Sequence, residues 1–189
     1  MDARLIEAKA SAATRYDAVT IAFHWATAIL VLALFTSILT ADYAPHEWHW
    51  HRTLENFHVG LGILFAAVLV GRLAWRLTFG RNLPDAAHGI QNIAAKGVHF
   101  ALYALLLLQM SLGFLTRWFQ GEEFSFFGLF TMPPLFPVDR DFGETLEAIH
   151  NYVAWLIIFL AAGHAVAALG HHFISGDGVL RRMLPGGKC

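Results

Sequence analysis

The chain has 189 residues, 57% of them hydrophobic and only 14% charged, with a mean hydropathy of +0.51 and a formal net charge of −1. A soluble domain carries nearer ~25% charged and ~45–50% apolar residues, so these values describe one compact integral membrane domain. The near-neutral charge gives no reason to expect nucleic acid. Cys189 is the sole cysteine, which excludes an internal disulfide, and no G-x-S-x-G nucleophile motif occurs.

Residues 1–17 are polar and mixed in charge, and no small-residue cleavage site closes a short apolar run. The first apolar run is therefore expected to stay in the membrane. A span needs about 20 mostly apolar residues. Four stretches qualify, predicting a transmembrane four-helix bundle, all-α, with helices over about 18–41, 56–77, 93–118 and 147–174. The fourth is uncharged over 148–176, long enough to tilt or to emerge from the bilayer.

Between the third and fourth lies a shorter apolar piece, 124–138, containing Pro133, Pro134 and Pro137. Proline breaks helices, so this piece is expected to lie at the interface or to form a lid.

Lys and Arg set the expected orientation. Arg4, Lys9, Arg15, Arg72, Arg76, Arg81, Lys96, Arg181, Arg182 and Lys188 fall on one side. Only Arg52, Arg117 and Arg140 fall on the other, among Asp42, Glu47, Glu55, Glu122, Glu123, Asp139 and Asp141. Both termini are therefore expected in the cytoplasm, with the acidic loops outside.

Four histidines interrupt the spans: His24, His58, His150 and His164. An ionisable group in hydrocarbon is costly and usually functional. Imidazole is also an axial ligand of haem iron, and facing helices of a bundle commonly hold cofactors. Entry directions put His24 in the inner half and His58 in the outer half. His150 and His164 are fourteen positions apart on the fourth helix. That is about 21 Å along the axis and about 40° short of four full turns, so both side chains point to nearly one face, one per leaflet. Depth then pairs His58 with His150 and His24 with His164, as in two stacked bis-histidine b-type haems. The alternative is a haem-free protein whose histidines cement helix packing.

Small residues follow each of the four at the same offset: Ala28, Gly62, Ala154 and Ala168. Positions i and i+4 share a helix face, so each leaves room for a flat macrocycle beside its ligand. His99, followed at that offset by Tyr103, is a candidate for quinone binding or proton relay, or a packing residue. His171 and His172 either bracket a haem edge or quinone or reach lipid headgroups. His46, His49 and His51 form a possible surface metal site beside interfacial tryptophans, without the usual zinc spacing. Arg72 and Arg76 either pair with inner haem propionates or snorkel to the cytoplasmic interface. Arg52, Arg117 and Arg140 either steer an anion toward the outer haem or are ordinary loop charge.

The chain resembles the bacterial cytochrome b561 family over roughly residues 14–185. The resemblance rests on Arg15-Tyr16-Asp17 leading to Phe23-His24-Trp25; on Asn56-Phe57-His58-Val59-Gly60; on Arg72 with Arg76; on Gly97-Val98-His99 and Tyr103; on Phe127-Gly128-Leu129; on His150 and His164; and on Leu180-Arg181-Arg182-Met183-Leu184-Pro185. It implies a four-helix di-haem cytochrome b of the bacterial inner membrane, with haem ligands at His24, His58, His150 and His164. It implies oxidation of superoxide outside and reduction of ubiquinone. The alternative is an electron-transfer subunit linking a partner dehydrogenase or hydrogenase to the quinone pool. Trp118 and the proline-rich loop offer an outer quinone site; His99, His171 and His172 offer an inner one.

Overall fold

The computed structural model describes residues 15–43, 50–85 and 89–185. His46, His49 and Glu47 of the possible surface metal site, and Arg4, Lys9 and Lys188 of the charge count, lie outside the described residues. Helix α1 is Ala18–Tyr43, α2 Trp50–Thr78, α3 Gly89–Gln120 and α4 Arg140–Gly170. A two-stranded hairpin, β1 Phe124–Phe126 and β2 Phe130–Met132, joins α3 to α4. A π-helical turn His171–Ser175 and a 3-10 turn Leu180–Met183 follow. Among the described residues, four helices are long and apolar enough to cross a membrane.

The helices overrun the expected limits for local reasons. Helix α2 begins at Trp50 rather than 56 because its first turns, with Arg52 and the His51–Glu55 pair at 3.4 Å, remain helical outside the apolar stretch. Helix α4 begins at Arg140 because Asp139 caps it, its carboxylate accepting from the Phe142 N–H at 3.1 Å. It passes at His171 into the π-helical turn, which Gly176 ends at φ 66°. Inside α1, hydroxyls are satisfied locally: Thr27 donates to Phe23 O at 2.6 Å, Thr36 to Leu32 O at 2.8 Å and Thr40 to Thr36 O at 2.7 Å. Hydrocarbon offers those groups no other partner.

Helix α1 packs along α2 and α3 along α4, whereas the two pairs approach each other thinly. What joins them is a mid-bundle apolar layer of Leu30, Leu61, Phe65, Leu69, Leu106 and Ile157, with the Phe35 and Trp155 rings 4.9 Å apart beside it. Ile29, Leu32, Val70, Phe100, Phe159 and Val166 are exposed on the outside, as lipid-facing residues must be.

At one end of the bundle the chain is strapped. The Tyr16 N–H donates to Arg182 O at 3.3 Å, Arg15 donates to Leu184 O, and the Trp25 indole donates to Met183 O at 2.7 Å. Asp17 is the hub. Its carboxylate accepts from the Thr20 N–H (2.8 Å), the Thr20 hydroxyl (2.7 Å), the Trp75 indole (3.0 Å) and the Arg81 N–H (3.2 Å). Burial pushes its pKa up, but the bonds from Thr20, Arg81 and Trp75 outweigh that and hold it at about 2.

At the other end, the piece expected as an interfacial lid forms the β-hairpin, with Phe124 opposite Met132 and Phe126 opposite Phe130. The Leu129 N–H donates to Phe126 O at 2.8 Å, and both central residues have positive φ, Phe127 at 48° and Gly128 at 77°. Positive φ at both central residues is a feature of the primed hairpin turns, and a bulky residue such as Phe127 rarely adopts it. The ring of Phe127 explains it: a Cβ on Gly60 of α2 would lie 2.8–3.0 Å from that ring. Two sequence fragments more than sixty residues apart thus interlock. Gly60→Ala is expected to lower stability by about 1–3 kcal/mol through overpacking. In thermal unfolding, Phe127→Ala should cancel most of that loss, because the two sites share one contact.

Candidate functional site

Depth along the helices divides the bundle into three layers, and the apolar layer separates two that contain histidines. At the β-hairpin end, His58 on α2 faces His150 on α4, with ring centroids 6.4 Å apart. At the strapped end, His24 on α1 faces His164 on α4, again at 6.4 Å. Both pairs bridge the seam between the α1–α2 and α3–α4 units. All four side chains are half-buried.

The surroundings of the rings differ. His58 Nδ1 is 3.0 Å from Leu34 O and 3.3 Å from the Ser37 hydroxyl. A carbonyl only accepts, so Nδ1 carries the hydrogen and Nε2 keeps its lone pair for another partner. His150 Nε2 is 3.0 Å from the Gln109 carboxamide nitrogen, whereas His150 Nδ1 and Gln109 Oε1 are buried without a partner among the described residues. Gly113, one turn beyond Gln109 on α3, makes room for this ring: a Cβ there would lie 3.1 Å from His150 Cε1.

At the strapped end, His99 is brought to 5.3 Å from His164, making three imidazoles in one layer. The Arg72 guanidinium donates to the Tyr103 hydroxyl at 3.0 Å, lies over that ring at 4.9 Å, and reaches within 3.5 Å of His24 Nδ1. Arg76 is engaged elsewhere, donating to Arg81 O at 2.8 Å and lying 6.0 Å from the Tyr16 ring. A small cleft lined by Thr20, Phe23, Arg72, Trp75, Arg76 and Tyr103 opens there. His171 pairs with Asp177, and the His172 ring lies 4.8 Å from Phe173.

Arg52 and Arg117 meet in a cleft of about 520 Å³ at the β-hairpin end, beside Glu55, Asn56, Glu122 and Glu123. Arg117 is paired with Glu122 at 2.7 Å and donates to Glu123 O at 3.0 Å, which offsets its charge. Arg140 is the first residue of α4 and does not line this cleft.

The residues fit a haem at each pair. Imidazole–metal bonds are about 2.0–2.1 Å and a ring nitrogen lies about 1.1 Å from its centroid, so one metal between two imidazoles separates the centroids by about 6.3 Å. Both pairs stand at 6.4 Å. Among the described residues no three His, Cys, Asp or Glu side chains converge as for a metal held by protein alone. A porphyrin supplies four donors itself and asks the protein for only two. Gly62, one turn after His58, has open space where its Cβ would be, and Ala28, Ala154 and Ala168 add only a methyl each. Gln109 and the Ser37–Leu34 bonds to His58 were not anticipated. The signal for Gln109 was a lone carboxamide inside an apolar run.

The family model described as prokaryotic cytochrome b561 matches residues 15–186. Among curated relatives, "Cytochrome b561 homolog 2" of Escherichia coli (strain K12) is 32% identical over 171 residues, covering 90% of this chain and 91% of that protein. "Probable superoxide oxidase CybB" of Yersinia pestis is 28% identical, covering 90% and 96%. "Cytochrome b561 homolog 1" of Escherichia coli (strain K12) is 27% identical, covering 90% and 97%.

Proposed function

The chain belongs to the prokaryotic cytochrome b561 family of membrane electron-transfer proteins, and on that premise we propose that it holds two b-type haems and couples superoxide oxidation to ubiquinone reduction. The observation that carries this reading is the two histidine pairs, each at 6.4 Å and each bridging the two helix pairs. A relative at 28% identity that is named a probable superoxide oxidase supports the choice of donor.

When bound, haem supplies a reversible one-electron couple. The protein's part is binding, orientation and electrostatics. His58 and His150 would hold one haem at the β-hairpin end, and His24 and His164 the other at the strapped end. Ala28, Gly62, Ala154 and Ala168 leave space beside them. Leu34 O fixes the His58 tautomer. Arg72 presents donors in the strapped-end layer to a propionate, and Arg76 stands at the mouth of the same cleft. Arg52 and Arg117 are the cations that would meet an anion at the other end, opposed by the carboxylates of Glu55, Glu122 and Glu123 in the same cleft, with Arg140 outside it.

Two superoxide ions lose one electron each and leave as dioxygen. Ubiquinone gains two electrons and two protons. His99 is the protonatable group placed to serve a quinone at the strapped end, and Trp118 marks a site at the other. The sidedness is that of the Lys/Arg bias: the strapped end in the cytoplasm, the β-hairpin end outside, and the protein multi-pass in the inner membrane.

The test is an optical redox titration of purified protein with haem counted per chain, then superoxide supplied with ubiquinone present. Two haems reduced rapidly by superoxide are expected. Two haems that ignore superoxide would sink the proposed donor and point to a docked partner dehydrogenase.

A further inference from the structure

The two ligands of the β-hairpin-end pair are anchored by different kinds of group. A histidine bound to metal through one nitrogen usually donates its other N–H to an oxygen, which fixes the ring and makes it a stronger electron donor. His58 has a main-chain acceptor for that purpose, Leu34 O at 3.0 Å. Main-chain oxygen is beyond the reach of ordinary substitution. Among the described residues His150 has no main-chain acceptor: its Nδ1 is buried and unpartnered, and its Nε2 lies 3.0 Å from a carboxamide.

That carboxamide belongs to Gln109, in the middle of α3. Burying a carboxamide among apolar residues is unfavourable unless it is hydrogen-bonded, and the partner on offer to this one is the His150 ring. Here the nitrogen end is used and the oxygen, Oε1, is buried without a partner. A half-turn about the terminal torsion exchanges the two ends and sets an acceptor oxygen where the nitrogen stands, 3.0 Å from the ring. Gly113 adds the second element, since its missing side chain lets the ring lie against α3. Helix α3 supplies none of the four facing histidines, yet it builds the seat of one.

We propose that Gln109 is the positioning residue of His150: its carboxamide oxygen accepts the ring N–H that the iron leaves free, fixing the ring and tuning the haem at the β-hairpin end alone. This rests on the di-haem reading above. Because the hydrogen bond enriches the ligand in electrons, it favours the ferric state. Removing it favours the ferrous state, and replacing the amide with a carboxylate strengthens the bond and acts in the opposite sense.

The experiment is a redox titration of the full-length protein with haem counted per chain, comparing wild type, Gln109→Met and Gln109→Glu, together with the low-spin electron paramagnetic resonance signals of the oxidised form. Gln109→Met nearly preserves volume and is expected to retain both haems. Its ferrous-to-ferric ratio at fixed applied potential should rise about tenfold for one haem, equivalent to 59 mV for a one-electron couple, with the other haem unmoved. The resonance signal of the same haem should shift, and Gln109→Glu should move that ratio the other way. A Gln109→Met protein with both haems and neither potential changed overturns the proposal, as does an equal change in both. Should Gln109→Glu fail to fold, the Met variant alone decides between these outcomes. Wild-type protein without two haems per chain overturns the parent reading instead, which keeps the two failures apart.

Discussion

On the proposed di-haem reading, replacing His58 or His150 with leucine is expected to leave one haem per chain instead of two, and the one that remains should be that assigned to His24 and His164. Replacing His24 or His164 should give the reciprocal result. The pairs are independent because the layer of Leu30, Leu61, Phe65, Leu69, Leu106 and Ile157 lies between them, and His150 and His164 stand about 21 Å apart on one helix. Changes at metal ligands and their supports typically cost about 10–100-fold in affinity or more. Haem extraction assays and low-temperature spectra would read the loss directly. If all four variants kept the full haem content and unchanged spectra, the ligand assignment would fall. A uniform loss from every variant would show instead that the two sites assemble as one.

Asp17→Ala is expected to lower stability by about 2–3 kcal/mol. It removes an N-cap worth about 1 kcal/mol and leaves the Trp75 indole and Arg81 N–H without their acceptor. The unaltered protein should show the same dependence on pH. The pKa of Asp17 falls from 3.8 unfolded to about 2 folded. Its stabilisation is therefore complete above about pH 4 and disappears as pH falls toward 2. Solvent screening at the partly open strap holds that contribution to about 1 kcal/mol. Unfolding in detergent between pH 5 and pH 2 should show this slope in wild type and not in Asp17→Asn. A wild-type curve as flat as that of the variant would remove Asp17 from its position as hub.

Both predictions rest on features with unequal visibility in the sequence. The four spans are plain because hydrocarbon excludes charge over about 20 residues, and the histidines stand out because ionisable groups are rare inside those stretches. The offset of fourteen positions from His150 to His164 encodes a shared face by helix geometry alone, and the rings do stand at two depths opposite His58 and His24. The β-hairpin was not legible. Its strands are three residues each, and its turn places Phe127 where Asn or Gly is the usual signal, a choice made intelligible only by Gly60 on another helix. The start of α2 was placed six residues late because Arg52 and Glu55 read as loop when burial alone defines the helix. The partners of the histidines were hidden for another reason: Leu34 O is main chain, and Gln109 differs from its neighbours only in polarity. The approach of His99 to His164 depends on how α3 packs, which no periodicity reports.

The thin contact between the α1–α2 and α3–α4 units has a bearing on how the protein is made. Each unit is a helical pair that can enter the bilayer as synthesis proceeds, and apart from the strap, the β-hairpin and the apolar layer, contact from helix to helix between the two is sparse. On the proposed reading, each haem is gripped from both sides of that seam and acts as a rivet. At a free concentration 1,000-fold above its dissociation constant, one bound ligand stabilises the joined state by about 4.1 kcal/mol. Newly inserted chains would then wait as two loosely associated halves, open to membrane proteases, until haem arrives. The amount of finished protein in a cell would follow its supply of haem as closely as transcription of the gene.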